Sequence, residues 1–191
     1  MKRSTSIPVS NLVTTTHSWA TSGLIDATSN LNGSRVYLFS GTLDSVIKTP
    51  VMDDLKTYYQ SYMPIANIAY KKDLASEHAM VTEDYGSNCS VKGAPYINDC
   101  NYDLAGEILK HVYGPLNPRN TGYNRWTDTN NMVVLYPQTS LAATNSCWDW
   151  WGYDSANYAK KSGPQMAALK AMVDQLTSGT APGYYIVKTC P

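Results

Sequence analysis

Two residues of this sequence occupy positions where an acid and a base could act together. Asp44 follows a compact, mostly apolar run at residues 35–40, and His78 lies in a long loop further along the chain. In open α/β sheets, sites form in the loops that follow the carboxyl ends of the strands. An acid at such an end and a base on a later loop are the arrangement of a hydrolase triad, in which the carboxylate orients an imidazole that accepts the nucleophile's proton. The plainer interpretations are that Asp44 only forms a turn and that His78 is only exposed.

The nucleophile that such a pair would serve is missing from the sequence. A serine on a tight strand-to-helix turn needs small neighbours, usually as Gly-x-Ser-x-Gly, and the chain contains no such motif. Gly33-Ser34 and Gly86-Ser87 lie in polar loops and lack the second glycine. Ser40 ends a predicted strand without a following helical turn, and Cys147 fits a disulfide or a backbone role better than a nucleophilic one. The residues therefore predict an acid and a base without their partner.

A dense aromatic segment provides a candidate contact surface. Trp148, Trp150 and Trp151 fall within four residues, directly after Cys147 and around Asp149. Three indoles so close in sequence cannot all point the same way, so at least one is expected to be partly exposed as a stacking or apolar surface. Burial of all three in the core is the alternative. Asp149 is placed to accept a hydrogen bond from an indole N–H.

Apolar runs and helical patterns alternate along the chain. This alternation predicts an α/β fold with a mostly parallel sheet flanked by helices, in a single domain over residues 1–191. Residues 73–101 are predicted to form a long loop. The predicted strands cover residues 35–40, 65–70, 132–136 and 184–188. Three helices are predicted. The first has Thr49 as its N-cap, the second covers residues 103–113, and the third begins at a capping box formed by residues 162–165.

Composition excludes several classes of partner. A formal net charge of zero over 191 residues gives no reason to expect nucleic acid or an anionic membrane. No apolar run is long enough to span a bilayer, and the first residues lack the apolar region of a signal peptide. No CxxC spacing indicates zinc, and no motif indicates a cofactor.

The cysteine count fits a secreted protein. The chain has four cysteines, Cys89, Cys100, Cys147 and Cys190, which allow three pairings of two disulfides. Pairing Cys89 with Cys100 is favoured because it would close a short loop. The remaining two cysteines would then pair by default, or Cys190 would lack its partner.

Several long segments, in order, resemble the catalytic domain of extracellular polyhydroxybutyrate (PHB) depolymerases, an esterase family with the α/β-hydrolase fold. The resemblance covers about residues 22–177. It rests on residues 36–44 (VYLFSGTLD), 78–82 (HAMVT), 95–103 (PYINDCNYD), 135–138 (LYPQ), 147–153 (CWDWWGY) and 163–166 (GPQM).

The resemblance implies a Ser-His-Asp ester hydrolase acting on a PHB-like polyester or a short-chain ester outside the cell. Asp44 would be the triad acid and His78 the base, and the backbone N–H of Cys147 would be an oxyanion-hole donor. The tryptophans would contact substrate. The resemblance also implies the disulfide between Cys89 and Cys100.

The order of the matched segments resembles a circularly permuted subgroup, in which the nucleophile turn comes first. The resemblance therefore implies a domain that is incomplete at its N-terminus, so that this chain holds the acid, the base and the oxyanion loop. Two other hypotheses remain: a non-catalytic domain that binds polyester or another apolar surface, and a truncated remnant that dimerises or aggregates through an exposed sheet edge. The oligomeric state is not predicted.

Overall fold

The computed structural model describes residues 7–116, 130, 132–135, 143–144 and 148–178. The chain divides into two compact units. The first unit comprises Met1–His17 with Thr28–Val134, and the second comprises Ser18–Ala27 with Leu135–Pro191. The single domain over residues 1–191 stays a prediction.

Every pair of strands in the described part of the first unit is parallel. β1 (Val36–Phe39) pairs with β2 (Ile68–Lys71), with Val36 opposite Ile68. A second sheet contains β3 (Met80–Thr82), β4 (Ser87–Asn88) and β5 (Ile97–Asp99), and β5 lies between the other two. Parallel strands need crossover connections, and the connection between β1 and β2 contains an α-helix.

The described part of this unit includes α2 (Thr49–Tyr59), α3 (Leu104–Tyr113) and the first part of α1 (Val9–Thr21). Asp103 caps α3, because its Oδ1 accepts a 2.9 Å hydrogen bond from the backbone N–H of Gly106. α2 packs against both β1 and β2, and α3 packs against β1 and β3. Two apolar clusters result, one around Leu38, Met63 and Ile68 and the other around Val81, Cys100 and Leu104.

The structure confirms the predicted strand at β1 and the predicted helix at α3. The strand predicted over residues 65–70 begins late, because Ile65–Asn67 form a 3-10 turn before β2. Thr49 is not the N-cap of α2. That position belongs to Lys48, while the hydroxyl of Thr49 accepts a hydrogen bond from Ser40.

Other predictions of secondary structure were wrong. The supposed loop over residues 73–101 contains β3, β4 and β5, which are two or three residues long and too short to show a period of two. Residues 132–135 form no strand, and Val133 is 70% exposed. The predicted strand at residues 184–188 lies outside the described residues.

The second unit contains α4 (Pro164–Thr177). Its N-cap is Gly163, which makes no side-chain capping bond, so the predicted capping box is absent. The backbone N–H of Lys161 donates to the carbonyl of Leu24 at 3.3 Å, and the Lys160 ammonium lies 5.9 Å from the centre of the Trp19 ring. These contacts join the two sequence segments of the unit.

The predicted disulfide between Cys89 and Cys100 is confirmed. It links the residues that follow β4 and β5, so it braces the small sheet that carries β3. Cys147 and Cys190 lie outside the described residues. None of the helices in the described part of the chain combines the length and apolarity that crossing a bilayer requires.

Candidate active site

The loop that leaves β1 holds Asp44 in a fixed position. Backbone hydrogen bonds from the N–H of Ser40 to the carbonyl of Lys71 (3.0 Å) and from the N–H of Thr42 to the carbonyl of Leu74 (2.8 Å) fasten the start of the loop to the last residue of β2 and to the segment after it. Asp44 then shapes the turn itself, because its Oδ1 accepts the backbone N–H groups of the residues two and three positions later, each at 2.8 Å. The interpretation of Asp44 as a turn-former is therefore correct, but it uses only one of the two carboxylate oxygens.

The second carboxylate oxygen contacts His78. Asp44 Oδ2 lies 3.0 Å from His78 Nδ1. The Asp44 side chain is only 11% exposed, whereas the His78 side chain is 44% exposed. Because an ionised carboxylate only accepts hydrogen bonds, this contact places the ring proton on Nδ1 and leaves Nε2 as a proton acceptor. The structure thus brings the predicted acid and base together, and their catalytic roles stay a prediction.

Glu77, which was not predicted from the sequence, links the same two segments. Its Oε2 accepts hydrogen bonds from the backbone N–H of Ser45 (3.0 Å), from the Ser45 hydroxyl (3.2 Å) and from the backbone N–H of His78 (2.9 Å). The bonds from the Ser45 and His78 backbones are the main causes that lower the pKa of Glu77 to about 2. Glu77 therefore fastens the Asp44 loop to the His78 segment as a carboxylate.

Glu77 should make stability depend on pH. Its ordinary pKa of 4.5 falls to about 2 in the folded chain, so the stabilisation is complete above the unfolded pKa and is lost as the pH falls through the folded one. We expect Glu77→Gln to be less stable than the wild type in urea unfolding at about pH 7, and the difference to narrow from about pH 5 to about pH 3. Glu83→Gln, at an exposed carboxylate, is the control. A Glu77→Gln difference that is constant with pH would contradict this linkage.

A cavity of about 490 Å³ opens beside the pair. Most of its wall is apolar, and its polar side chains are those of the acid, the base, Glu77 and Tyr96. Its lining consists of Phe39, Asp44, Ile47, Met52, Glu77, His78, Ala79, Met80 and Tyr96. No serine, threonine or cysteine belongs to this described lining, and the Oγ atoms of Ser40, Ser45 and Ser76 already donate to Thr49, Glu77 and the Glu77 carbonyl.

In the second unit, Asp149 organises the tryptophan segment through the backbone. Its Oδ1 accepts the N–H groups of Trp151, Gly152 and Tyr153 at 2.6–3.2 Å, and its Oδ2 accepts those of the next two residues at 3.0 and 2.8 Å. The prediction of an indole partner was wrong. Burial acts to raise the pKa of this carboxyl, but the backbone N–H groups together lower it.

The indoles around Asp149 are exposed. Trp148 is 37%, Trp150 55% and Trp151 73% exposed, so burial of all three in a core is excluded. The Trp150 and Trp151 rings pack edge to face, with their centres 5.8 Å apart. The predicted oxyanion residue, Cys147, lies outside the described residues, so its role and the substrate contact of the three indoles stay predictions.

Comparison with known proteins identifies homologues of the chain. Over 91% of its length, the chain is 53% identical to a poly(3-hydroxybutyrate) depolymerase of Delftia acidovorans. The chain is a homologue of polyhydroxybutyrate depolymerases. A polyhydroxybutyrate depolymerase of Talaromyces funiculosus is 28% identical and matches 81% of the chain and 69% of that relative. No protein-family model matches the chain.

Solved structures of PHB depolymerases confirm the α/β-hydrolase type of fold. The crystal structure of PHB depolymerase from Penicillium funiculosum matches with a TM-score of 0.83 at 27% identity, covering 90% of this chain and 79% of that one. A second structure, a serine-to-alanine variant of PHB depolymerase complexed with an R3HB trimer, matches with a TM-score of 0.81 at 26% identity. Its coverage of both chains is the same.

The chain also differs from its relatives in extent. It spans about half of the Delftia relative, whose matched part is 49% of its length. The two alignments run over 240 and 235 residues, which is more than the 191 residues of the chain. Both relatives therefore carry residues inside the matched span that this chain lacks. The order of the matched segments predicted a difference at the N-terminus, but no motif in the sequence indicated this internal one.

Proposed function

We propose that this chain supplies the acid and the base of a carboxylic ester hydrolase of the PHB depolymerase type. The observation that carries the proposal is the hydrogen bond between Asp44 and His78 at the wall of a mostly apolar cavity, in a chain homologous to those enzymes. A hydrogen-bonded Asp–His pair that opens on an apolar pocket is suited to acyl transfer from an apolar ester.

In this mechanism, Asp44 keeps the ring proton of His78 on Nδ1. His78 Nε2 accepts the proton of a serine hydroxyl while that oxygen attacks the ester carbonyl, and it returns the proton to the alcohol that leaves. The negative charge on the carbonyl oxygen would be stabilised by backbone donors, among them the N–H of Cys147. Water then releases the acyl group by the same steps.

The proposed ligand is an oligomer or polymer of 3-hydroxybutyrate. Phe39, Ile47, Met52 and Met80 offer apolar contacts for the methyl and methylene groups of such an ester. A solved relative in which serine is replaced by alanine is complexed with an R3HB trimer. This supports binding of a 3-hydroxybutyrate oligoester by a domain of this type.

Two further parts of the proposal concern the environment of the protein. Exposed indoles at Trp148, Trp150 and Trp151 would contact the polymer surface. The disulfide between Cys89 and Cys100 supports an extracellular location, because such bonds persist in oxidising compartments.

We expect the isolated chain to bind a trimer of (R)-3-hydroxybutyrate without hydrolysing esters. Calorimetric titration with the trimer measures the binding. Hydrolysis of p-nitrophenyl butyrate should be no faster than that of the His78→Ala variant, because His78 has no nucleophile proton to accept. Failure of the wild type to bind the trimer would overturn the proposed ligand. An acyl-enzyme that disappears when one serine is replaced would show that the chain has a nucleophile.

A non-catalytic polyester-binding domain is the second candidate, favoured by the absence of a serine, threonine or cysteine from the described cavity wall. The DNA sequence upstream of the region that encodes this chain distinguishes the hydrolase from the binding domain. If it encodes an in-frame Gly-x-Ser-x-Gly turn, the longer product should hydrolyse the ester, and His78→Ala should lower its kcat by about 10,000-fold or more. If it encodes no such turn, the binding function stands and the hydrolase is excluded.

A further inference from the structure

Tyr96 has an unusual backbone conformation for a bulky residue. Its φ is 57°, in the left-handed region that favours glycine. The other described residues with positive φ are Asn101, at 52°, and four glycines. Asparagine and glycine adopt this conformation readily, whereas an aromatic side chain is strained there. Tyr96 is thus the one described residue where a large side chain occupies a position suited to glycine.

Hydrogen bonds on both sides hold Tyr96 in this conformation. Its N–H donates to the carbonyl of Gly93 at 2.7 Å, and its carbonyl accepts the N–H of Met80 at 2.8 Å. Met80 lies two residues after His78 and begins β3, and Tyr96 directly precedes β5, the neighbouring strand. The position of Tyr96 relative to His78 is therefore set by a backbone hydrogen bond and by strand pairing.

Core packing does not account for the tyrosine at this position. Tyr96 is 51% exposed, so its ring contributes little buried area to the fold. It does line the cavity that contains His78 and Asp44. Backbone strain that persists without a compensating core contact is characteristic of residues whose side chain serves a function.

We propose that Tyr96 is a substrate-positioning residue whose ring forms one wall of the oligoester site beside His78. The inference rests on the proposed function and adds a residue to which no role was assigned. The ring face offers an apolar surface for the methyl and methylene groups of a 3-hydroxybutyrate unit, and a Tyr side chain has few rotatable bonds to order on binding. A glycine here would suit the backbone better and would leave the cavity open on this side.

The test compares Tyr96→Gly, Tyr96→Ala and Tyr96→Phe, by thermal unfolding and by calorimetric titration with the (R)-3-hydroxybutyrate trimer. We expect Tyr96→Gly to bind the trimer about tenfold more weakly and to have a Tm at or above that of the wild type. Tyr96→Ala should bind the trimer as weakly as Tyr96→Gly does, but its Tm should be lower than that of Tyr96→Gly because alanine keeps the strained φ. Tyr96→Phe should restore affinity to within about threefold of the wild type.

Asn101→Gly is the matched control, since it relieves a positive φ outside the cavity lining. It should raise the Tm slightly and leave the affinity unchanged. Wild-type affinity in Tyr96→Gly would overturn the role of Tyr96 while leaving the proposed function intact. A Tm of Tyr96→Gly below that of Tyr96→Ala would also overturn it, because the ring would then be core. If the wild type fails to bind the trimer, the proposed function fails first and this inference with it.

Discussion

Gly41→Ala is expected to lower the free energy of unfolding by about 3 kcal/mol or more, and to abolish trimer binding. A Cβ atom on Gly41 would lie 2.0 Å from the carbonyl oxygen of Ser76 and 2.8 Å from its carbonyl carbon. Ser76 is fully buried, and a backbone carbonyl cannot rotate aside as the end of a flexible side chain can. The loop that leaves β1 would have to separate from the segment that leads to His78.

Gly41→Ala should therefore disturb the candidate active site as well as the stability of the fold. Asp44 lies three residues after Gly41, and His78 lies two residues after Ser76. Pushing the two segments apart would lengthen the 3.0 Å contact between the carboxylate and the imidazole. Urea unfolding and calorimetric titration with the (R)-3-hydroxybutyrate trimer measure the two effects.

Gly33→Ala is the matched control for this substitution. A Cβ atom on Gly33 would meet nothing within 4 Å, and its φ is not in the left-handed region. Gly33→Ala should therefore change stability by no more than about 1 kcal/mol, in either direction. If Gly41→Ala proves as stable as Gly33→Ala, the two segments are not packed as closely as described, and the positioning of Asp44 by this contact is wrong.

The acid–base pair could be predicted from the sequence because its signals are local. A compact apolar run marks β1, and the aspartate just beyond its end lies where α/β sheets form sites. The distance between Asp44 and His78 could not be derived in this way, since it depends on pairing between segments 34 residues apart. Glu77 was missed for the same reason, because its function depends on a hydrogen bond to the distant Ser45.

Short or polar elements were the main failures in predicting the fold. β4 has two residues, and β3 and β5 have three each, so none shows a hydrophobic period. α1 is rich in serine and threonine, which favour helices weakly. Its stability depends on tertiary contacts such as the 2.6 Å hydrogen bond between the Thr16 and Tyr58 hydroxyls. Such contacts are not visible in a local pattern.

For the tryptophan segment, exposure of the indoles was predicted correctly, but the hydrogen-bond partner of Asp149 was not. Crowding of the indoles indicated exposure, and the indoles are exposed. The partner of Asp149 was expected to be an indole, yet the carboxylate accepts only backbone N–H groups among the bonds described for it. Five such groups on one side chain require a backbone that wraps around it, and Gly152, with a φ of 87°, permits that path.

Asp149→Asn is expected to open this loop and to lower the Tm by at least about 5 °C. An asparagine amide has one acceptor oxygen and an NH₂ group, and both carboxylate oxygens of Asp149 accept bonds. In either orientation, the NH₂ group would therefore face backbone N–H donors that cannot bond to it. We expect a shift in tryptophan fluorescence, faster proteolysis after Trp150 or Tyr153, and weaker adsorption to a polyhydroxybutyrate film.

Two further variants distinguish an opened loop around Asp149 from the loss of the exposed indole surface. Trp151→Ala removes the most exposed of these three indoles, at 73%, so it should weaken adsorption to the film with almost no change in Tm. Asp174→Asn removes an exposed carboxylate that pairs with Lys170 on α4. It should change neither the adsorption nor the Tm, because surface ion pairs contribute little to stability.

If Asp149→Asn has the same Tm as Asp174→Asn, the five backbone hydrogen bonds do not hold the loop. If Asp149→Asn unfolds as expected but Trp151→Ala adsorbs like the wild type, the carboxylate has a structural role alone and the indoles are not the polymer-binding surface.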